Sequence, residues 1–171
     1  MSMTLPSGDA GSALYFDDFS VGMEFVTSAR RLGRADIQAF ADLTGDDNPL
    51  HTDPAFAQST RFGEVVAHGL LGTSVAIGLI AELGIVTGTV LALLEVNCRF
   101  LRPILATDEI HARVVITRMR ETSKAAEGIL WRGVELVNQR GEVTQELELV
   151  SLMKRRTAPA PVGGSPVAGQ S

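Results

Sequence analysis

The chain has 171 residues, of which 45% are hydrophobic and 20% are charged, and its formal net charge is -5. This length predicts one domain, and the acidic balance argues against a nucleic-acid-binding protein, which needs clustered Lys and Arg. The single cysteine, Cys98, excludes an intrachain disulfide and a zinc site built on cysteine pairs.

Both ends of the chain differ in composition from the middle. Residues 1–12 are small and polar, and residues 157–171 are rich in Pro, Gly, Ala and Ser without periodicity, so we expect disordered tails around a domain at 13–156. The first residues show neither a basic segment nor a long apolar run, which makes a cytoplasmic location the default expectation.

The first half of the domain predicts short elements around a loop. A strand is expected at Glu24–Leu32, followed by an amphipathic helix at Ala35–Leu43. A helical turn is expected at Pro54–Ser59, because proline suits the first position of a helix. The predicted apolar positions of the first helix are Ile37, Phe40, Ala41 and Leu43.

The most apolar segment, Val65–Ala81, predicts a central helix at Gly69–Leu83. The segment is short of the ~20 residues that span a bilayer. Because its apolar residues point in every direction, such a helix must be covered on most sides.

The rest of the domain predicts four strands with alternating apolar residues. They are Val90–Leu101, Glu109–Arg120, Gly128–Asn138 and Glu142–Met153, the last two joined by a hairpin turn. In the first strand the predicted apolar face is Val90, Ala92, Leu94, Val96, Cys98 and Phe100. Long alternating strands with short turns form an antiparallel sheet, so we predict an α+β fold with one long helix wrapped by that sheet.

The loop at residues 45–51, with the sequence Gly-Asp-Asp-Asn-Pro-Leu-His, carries the chemistry. Asp-Asn-Pro favours a turn without regular helix or strand, and it sets Asp46 five positions before His51. A carboxylate and an imidazole over one water suit general acid–base catalysis. Two alternatives remain: Asp46 simply caps the turn, or a hard metal ion binds Asp46, Asp47, His51 and Asp53.

Residues 41–51, together with the downstream Val-Ala-His-Gly-Leu-Leu at 66–71, resemble the hydratase 2 motif of MaoC-like, (R)-specific enoyl-CoA hydratases. The stretch from Arg99 to Ile110 is also similar, and the resemblance covers roughly residues 14–155. It implies a hotdog fold, a homodimer or higher oligomer, and an acyl-CoA thioester as the substrate. The acyl chain would lie along the central helix, where Gly72 and Gly78 are expected to leave room for it. The implied reaction requires no metal and no other cofactor, and from the charge balance and the short apolar segment we expect neither a nucleic acid nor a membrane as a partner.

The resemblance also implies roles for individual residues. The family's catalytic aspartate and histidine fall on Asp46 and His51, its oxyanion-hole glycine on Gly69, and its helix serine on Ser74. Asp47 occupies a variable position. The implied reaction is reversible addition of water to a trans-2-enoyl-CoA, giving an (R)-3-hydroxyacyl-CoA.

Other interpretations stay open at this stage. An acyl-CoA thioesterase on the same fold could use Asp46, and a non-catalytic acyl-CoA-binding module is a third possibility. For His68 we favour a structural role in which its ring hydrogen-bonds the backbone. Arg99 and Arg102 could reach CoA phosphates, but surface salt bridges are the commoner outcome for such residues.

Overall fold

The computed structural model describes residues 13–156, so the expected tails at 1–12 and 157–171 lie outside the described part. A 3-10 helix at Phe16–Asp18 precedes four α-helices and six β-strands. The helices are α1 (Arg34–Thr44), α2 (Pro49–Thr52), α3 (Pro54–Ser59) and α4 (Gly69–Glu82). The strands are β1 (Glu24–Val26), β2 (Arg30–Arg31), β3 (Val90–Phe100), β4 (Glu109–Glu121), β5 (Glu127–Asn138) and β6 (Val143–Lys154).

The six strands form one antiparallel sheet. Its strand order is β1-β4-β5-β6-β3, and β2 also pairs with β4. The strand expected at 24–32 is therefore split into β1 and β2, and both pieces pair with β4. The hairpin between β5 and β6 turns at Gly141, where φ is +76°, a value that glycine adopts without strain.

The core lies between α4 and the concave face of the sheet. Leu79 and Ile80 of α4 are buried together with alternate residues of β4 and β5. The predicted inward faces of those two strands are confirmed, since these residues are all at most 2% exposed: Ile110, Ala112, Val114, Ile116, Leu130, Val134 and Leu136. One long helix enclosed by an antiparallel sheet is the α+β hotdog arrangement, as predicted.

Two elements differ from their predicted patterns. Leu43 is 82% exposed. Helix α1 buries Ile37 and Ala41, which are four residues apart, and Leu43 lies on a different face of the helix. In β3, two register shifts break the alternation, and the strand lies at the sheet edge. Members of its predicted apolar face, including Leu94 and Phe100, are therefore exposed.

Helix α4 is covered on most sides but not all. Leu70, Ser74 and Gly78 form an exposed stripe at four-residue spacing. Within residues 13–156, none of the helices is both long and apolar enough to cross a bilayer.

Candidate active site

The loop after α1 is built by local capping. Gly45 ends α1 with a φ of +77°, and the Asn48 side chain accepts a hydrogen bond of 3.0 Å from the Leu50 amide. With Asn48 as the cap and Pro49 in the first position, the next residues form the one-turn helix α2, which contains His51. The expectation that His51 lies outside regular helix was therefore wrong, because the turn signal also starts a helix.

His51 is fixed by its backbone contact. Its Nδ1 lies 2.6 Å from the carbonyl oxygen of Val66. A carbonyl oxygen accepts only, so Nδ1 carries the hydrogen, and Nε2 of the neutral ring is left as an acceptor. His51 is half-buried and lines a cavity.

Asp46, His51 and His68 come together in one cluster. A carboxylate oxygen of Asp46 and one ring nitrogen of each histidine all lie within 4.8 Å of one another. Asp47 is outside this cluster, and its carbonyl oxygen accepts a hydrogen bond of 3.0 Å from Thr52 Oγ1. The geometry therefore brings the first acid of the loop, and not the second, toward His51.

His68 supports the other two members of the cluster. Its Nε2 donates a hydrogen bond of 2.8 Å to the Asp46 carbonyl oxygen, in agreement with the expected structural role. Its ring stacks on His51 with 3.9 Å between centroids and packs against Phe40 at 5.1 Å. Since His68 is only 3% exposed, this stack holds the Asp46 loop and the His51 ring in a fixed relation.

The cavity beside the cluster has a volume of about 660 Å³. Its lining includes His51 and Gly69 but not Asp46, which is exposed next to His51. The rest of its wall comes from Arg61, Phe62, Val66, Ala67, Leu70, residues 100–104 and Gln145. The wall is mainly apolar with a few polar groups, as is usual for small-molecule sites.

Gly69 begins α4 at the edge of this cavity. The amide of a first helical residue has no carbonyl one turn earlier in the helix to bind, and the helix dipole favours negative charge there. A side chain at this position would clash, since a Cβ would lie 2.7 Å from the Phe100 ring. Glycine therefore leaves the amide accessible and lets Phe100 close the wall.

Gln145 is a site residue that the sequence reasoning missed. It is 2% exposed, donates from Nε2 to the Gly69 carbonyl oxygen at 2.9 Å, and accepts from Thr73 Oγ1 at 3.1 Å. It thereby ties β6 to the first turn of α4. The available signal was its register, because Gln145 is a polar residue in line with Val143 and Leu147 on the apolar face of its strand.

Other candidates lie elsewhere. Ser74 is exposed, donates to the Leu70 carbonyl oxygen at 2.9 Å and does not line the cavity, so its role stays a prediction. The Asp53 carboxylate accepts a hydrogen bond of 2.8 Å from the Ala55 amide and thereby caps α3. This contact separates Asp53 from the other residues considered above as possible metal ligands. Arg99 pairs with Glu146 and Arg102 with Glu142 at 3.8 Å, as expected for surface arginines, and Arg102 also lines the cavity.

The family model that matches the chain is the MaoC like domain, over residues 18–136. An (R)-specific enoyl-CoA hydratase from Aeromonas caviae is 38% identical over 98 residues, which cover 57% of this chain and 72% of that protein.

Two solved structures show the same fold. The Archaeoglobus protein described as a monoamine oxidase regulatory protein superimposes with a TM-score of 0.80 at 30% identity, covering 86% of this chain and 99% of that one. A Mycobacterium tuberculosis protein with a double hotdog fold gives a TM-score of 0.75 at 22% identity, covering 89% of this chain and 47% of that one. At that identity the second match shows the fold alone. With the matched model spanning most of the described residues, the chain belongs to the MaoC-like domain family.

Proposed function

We propose that the protein is a hydro-lyase that adds water reversibly to a trans-2-enoyl-CoA to give an (R)-3-hydroxyacyl-CoA. One observation carries this proposal: the Asp46 carboxylate and the imidazole of His51 meet beside a cavity that Gly69 also lines. The Aeromonas caviae relative, named for this reaction, supports it.

The pair Asp46 and His51 suits the binding of one water molecule. With Nδ1 engaged by Val66, the free Nε2 of His51 is an acceptor, and the Asp46 carboxylate is a second acceptor. A water that donates one hydrogen to each turns a lone pair toward the β-carbon of the substrate. The acceptor that takes the proton then returns one to the α-carbon on the same face. Such acid–base help is worth about 10²–10⁴ in rate.

Gly69 provides for the charge that develops on the thioester oxygen. Its amide lies at the N-terminus of α4, where partial positive charge from the helix favours an anion. The loss of one such donor costs about 2.7–4 kcal/mol in a well-studied protease. The Gly69 amide, the Asp46–His51 pair and the water between them would thus surround a single bound enoyl group.

The shape and charges of the cavity support an acyl-CoA as the substrate. Its volume of about 660 Å³ is within the range of roughly 300–1,000 Å³ for small-molecule sites. Arg61 and Arg102 line it, and guanidinium groups match the geometry of phosphates such as those of CoA.

We further propose that two copies of the chain associate. One edge strand of the sheet is β3, which among the described residues pairs only with β6 and which carries exposed apolar residues. They are Leu91, Leu93, Leu94, Val96 and Phe100. A long apolar edge strand is a ready surface for strand pairing, and a second copy presents the complementary strand. The cytoplasmic location stays a prediction.

An assay with crotonyl-CoA tests the activity. We expect the wild-type protein to remove the enoyl absorbance, to yield the (R)-3-hydroxy product, and to release no free CoA detectable with a thiol reagent. Steady release of CoA without hydration would show a thioesterase. Binding of crotonyl-CoA without turnover would show a non-catalytic acyl-CoA module.

A further inference from the structure

A second cavity lies at the other end of α4. It has a volume of about 320 Å³ and is lined by Ile77 and Ile80 of the helix, by Leu149 of β6, and by the start of β3. Ile77 follows Gly69 by about two helical turns, or about 12 Å along the axis. The cavity is thus separate from the Asp46–His51 cluster, although it borders the same helix.

Arg132 reaches into this cavity from β5. The alternation of the strand places it in line with Leu130 and Val134 on the inward face, and it is only 6% exposed. Its Nη2 donates to Ser151 Oγ, and both residues line the cavity. Its buried Nε has no hydrogen-bond partner among the described residues.

A buried guanidinium without a counter-charge is costly. Arginine stays protonated in proteins, and buried charges are normally paired. Arg113 pairs with Glu135 and Arg140 with Asp108, but no carboxylate within residues 13–156 forms an ion pair with Arg132. Burial accordingly lowers the pKa of the Arg132 guanidinium. An apolar side chain at this position would avoid the desolvation cost of the buried guanidinium. The arginine is therefore better explained by an anionic ligand that binds to it.

We propose that Arg132 and Ser151 form a binding site for a carboxylate group carried on an apolar chain. The planar guanidinium binds a carboxylate through parallel hydrogen bonds, and Nε is one of the donors available for them. The Ser151 hydroxyl accepts from Arg132 and keeps its own hydrogen for the ligand. The isoleucine and leucine walls match an aliphatic body.

Two sources could supply this carboxylate. One is the far end of a dicarboxylic acyl thioester, an identification that rests on the proposed hydratase function. Its thioester would lie at Gly69, and its chain would run along α4 toward Arg132. The other source is a free aliphatic carboxylate, which requires no hydratase activity.

The first arm of the test measures binding of hexanoate by calorimetry, with 1-hexanol as the uncharged comparison. We expect wild type to bind hexanoate at least tenfold more tightly than hexanol, and Arg132→Met to lose this preference. Arg120→Met is the matched control, because Arg120 is exposed on β4 and should leave binding unchanged. Should Arg132→Met fail to fold, Arg132→Lys, which keeps the charge but not the planar fork, is expected to weaken the preference.

The second arm compares kcat/KM for two enoyl-CoAs of equal chain length, one ending in a carboxylate and one in a methyl group. If the substrate supplies the carboxylate, Arg132→Met lowers the rate for the carboxylate-ended substrate at least tenfold and spares the other. The site is disproved if the wild-type protein prefers neither hexanoate over hexanol nor the carboxylate-ended substrate over the methyl-ended one. It is equally disproved if Arg132→Met retains whichever preference the wild type shows. Binding of hexanoate by a protein that hydrates no enoyl-CoA would refute the proposed function and support the site.

Discussion

At the scale of residues, one acid of the loop is set apart from its neighbour by backbone contacts. The hydrogen bond from His68 Nε2 to the Asp46 carbonyl oxygen places Asp46 beside the stacked histidines, while Asp47 is not part of this cluster. Sequence spacing alone could not separate two adjacent aspartates. Their separation depends on a histidine that follows 22 positions later in the chain.

The support that His68 gives to the loop can be tested by His68→Phe. Phenylalanine keeps a planar ring between Phe40 and His51 but removes the 2.8 Å hydrogen bond to Asp46. A hydrogen bond is worth about 1 kcal/mol, so we expect kcat for enoyl-CoA hydration to fall about fivefold. The melting temperature should change little, since the apolar ring also removes the buried Nδ1, which has no hydrogen-bond partner within residues 13–156.

The half-exposed His111 provides a control, because His111→Phe lies on β4 away from the cluster and should leave kcat unchanged. Equal kcat for His68→Phe and wild type would contradict a positioning role.

The sequence predicted that Asp46 and His51 lie together but missed Gln145, and both outcomes have physical reasons. Asp46 and His51 are close in the chain and joined by a turn, so local signals sufficed to pair them. Gln145 reaches Gly69 across 76 positions, a contact that no local pattern encodes. The sequence also could not show that Ser74 lies on the exposed stripe of α4, because its exposure depends on which side of the helix the sheet covers.

At the scale of elements, the two central glycines of α4 differ in their surroundings. A Cβ on Gly72 would lie 2.5 Å from Gln145 Nε2 and 2.7 Å from Ile104 Cδ1, whereas a Cβ on Gly78 would meet no atom of the described residues within 4 Å. The room expected at Gly72 for an acyl chain is therefore filled by the protein itself. The strands show the same dependence on packing. Strand β4, which has neighbours on both sides, follows its pattern, but within residues 13–156 the edge strand β3 has no second neighbouring strand to enforce alternation.

Alanine substitutions at these two positions form a matched pair. We expect Gly72→Ala to lower the free energy of unfolding by about 1–3 kcal/mol, because Gln145 and Ile104 must move. Gly78→Ala should raise it by about 1 kcal/mol, since alanine is the better helix former. Urea denaturation measures both changes, and equal stability of the two variants would show that Gly72 is not tightly packed.

At the scale of the whole molecule, residues 13–156 leave exposed apolar side chains on the edge strand β3, where we propose that a second copy binds. We expect light scattering to give a particle mass at least twice the 18.2 kDa of one chain. The double substitution of Leu94 and Val96 to lysine should yield monomers, because charged side chains prevent strand pairing at an edge. Leu43→Lys, on exposed α1, is the control that should stay associated. A wild-type monomer at micromolar concentration would contradict the proposed assembly.

Comparing Asp46→Asn with Asp47→Asn tests whether Asp46 and His51 activate one water for addition to an enoyl-CoA. Both changes remove one negative charge from the same loop, and the spectrophotometric rate of crotonyl-CoA hydration is measured for each. We expect the rate to fall by a factor of about 10²–10⁴ for Asp46→Asn and to stay near the wild-type rate for Asp47→Asn. Equal losses in the two variants, or a fully active Asp46→Asn protein, would contradict this prediction.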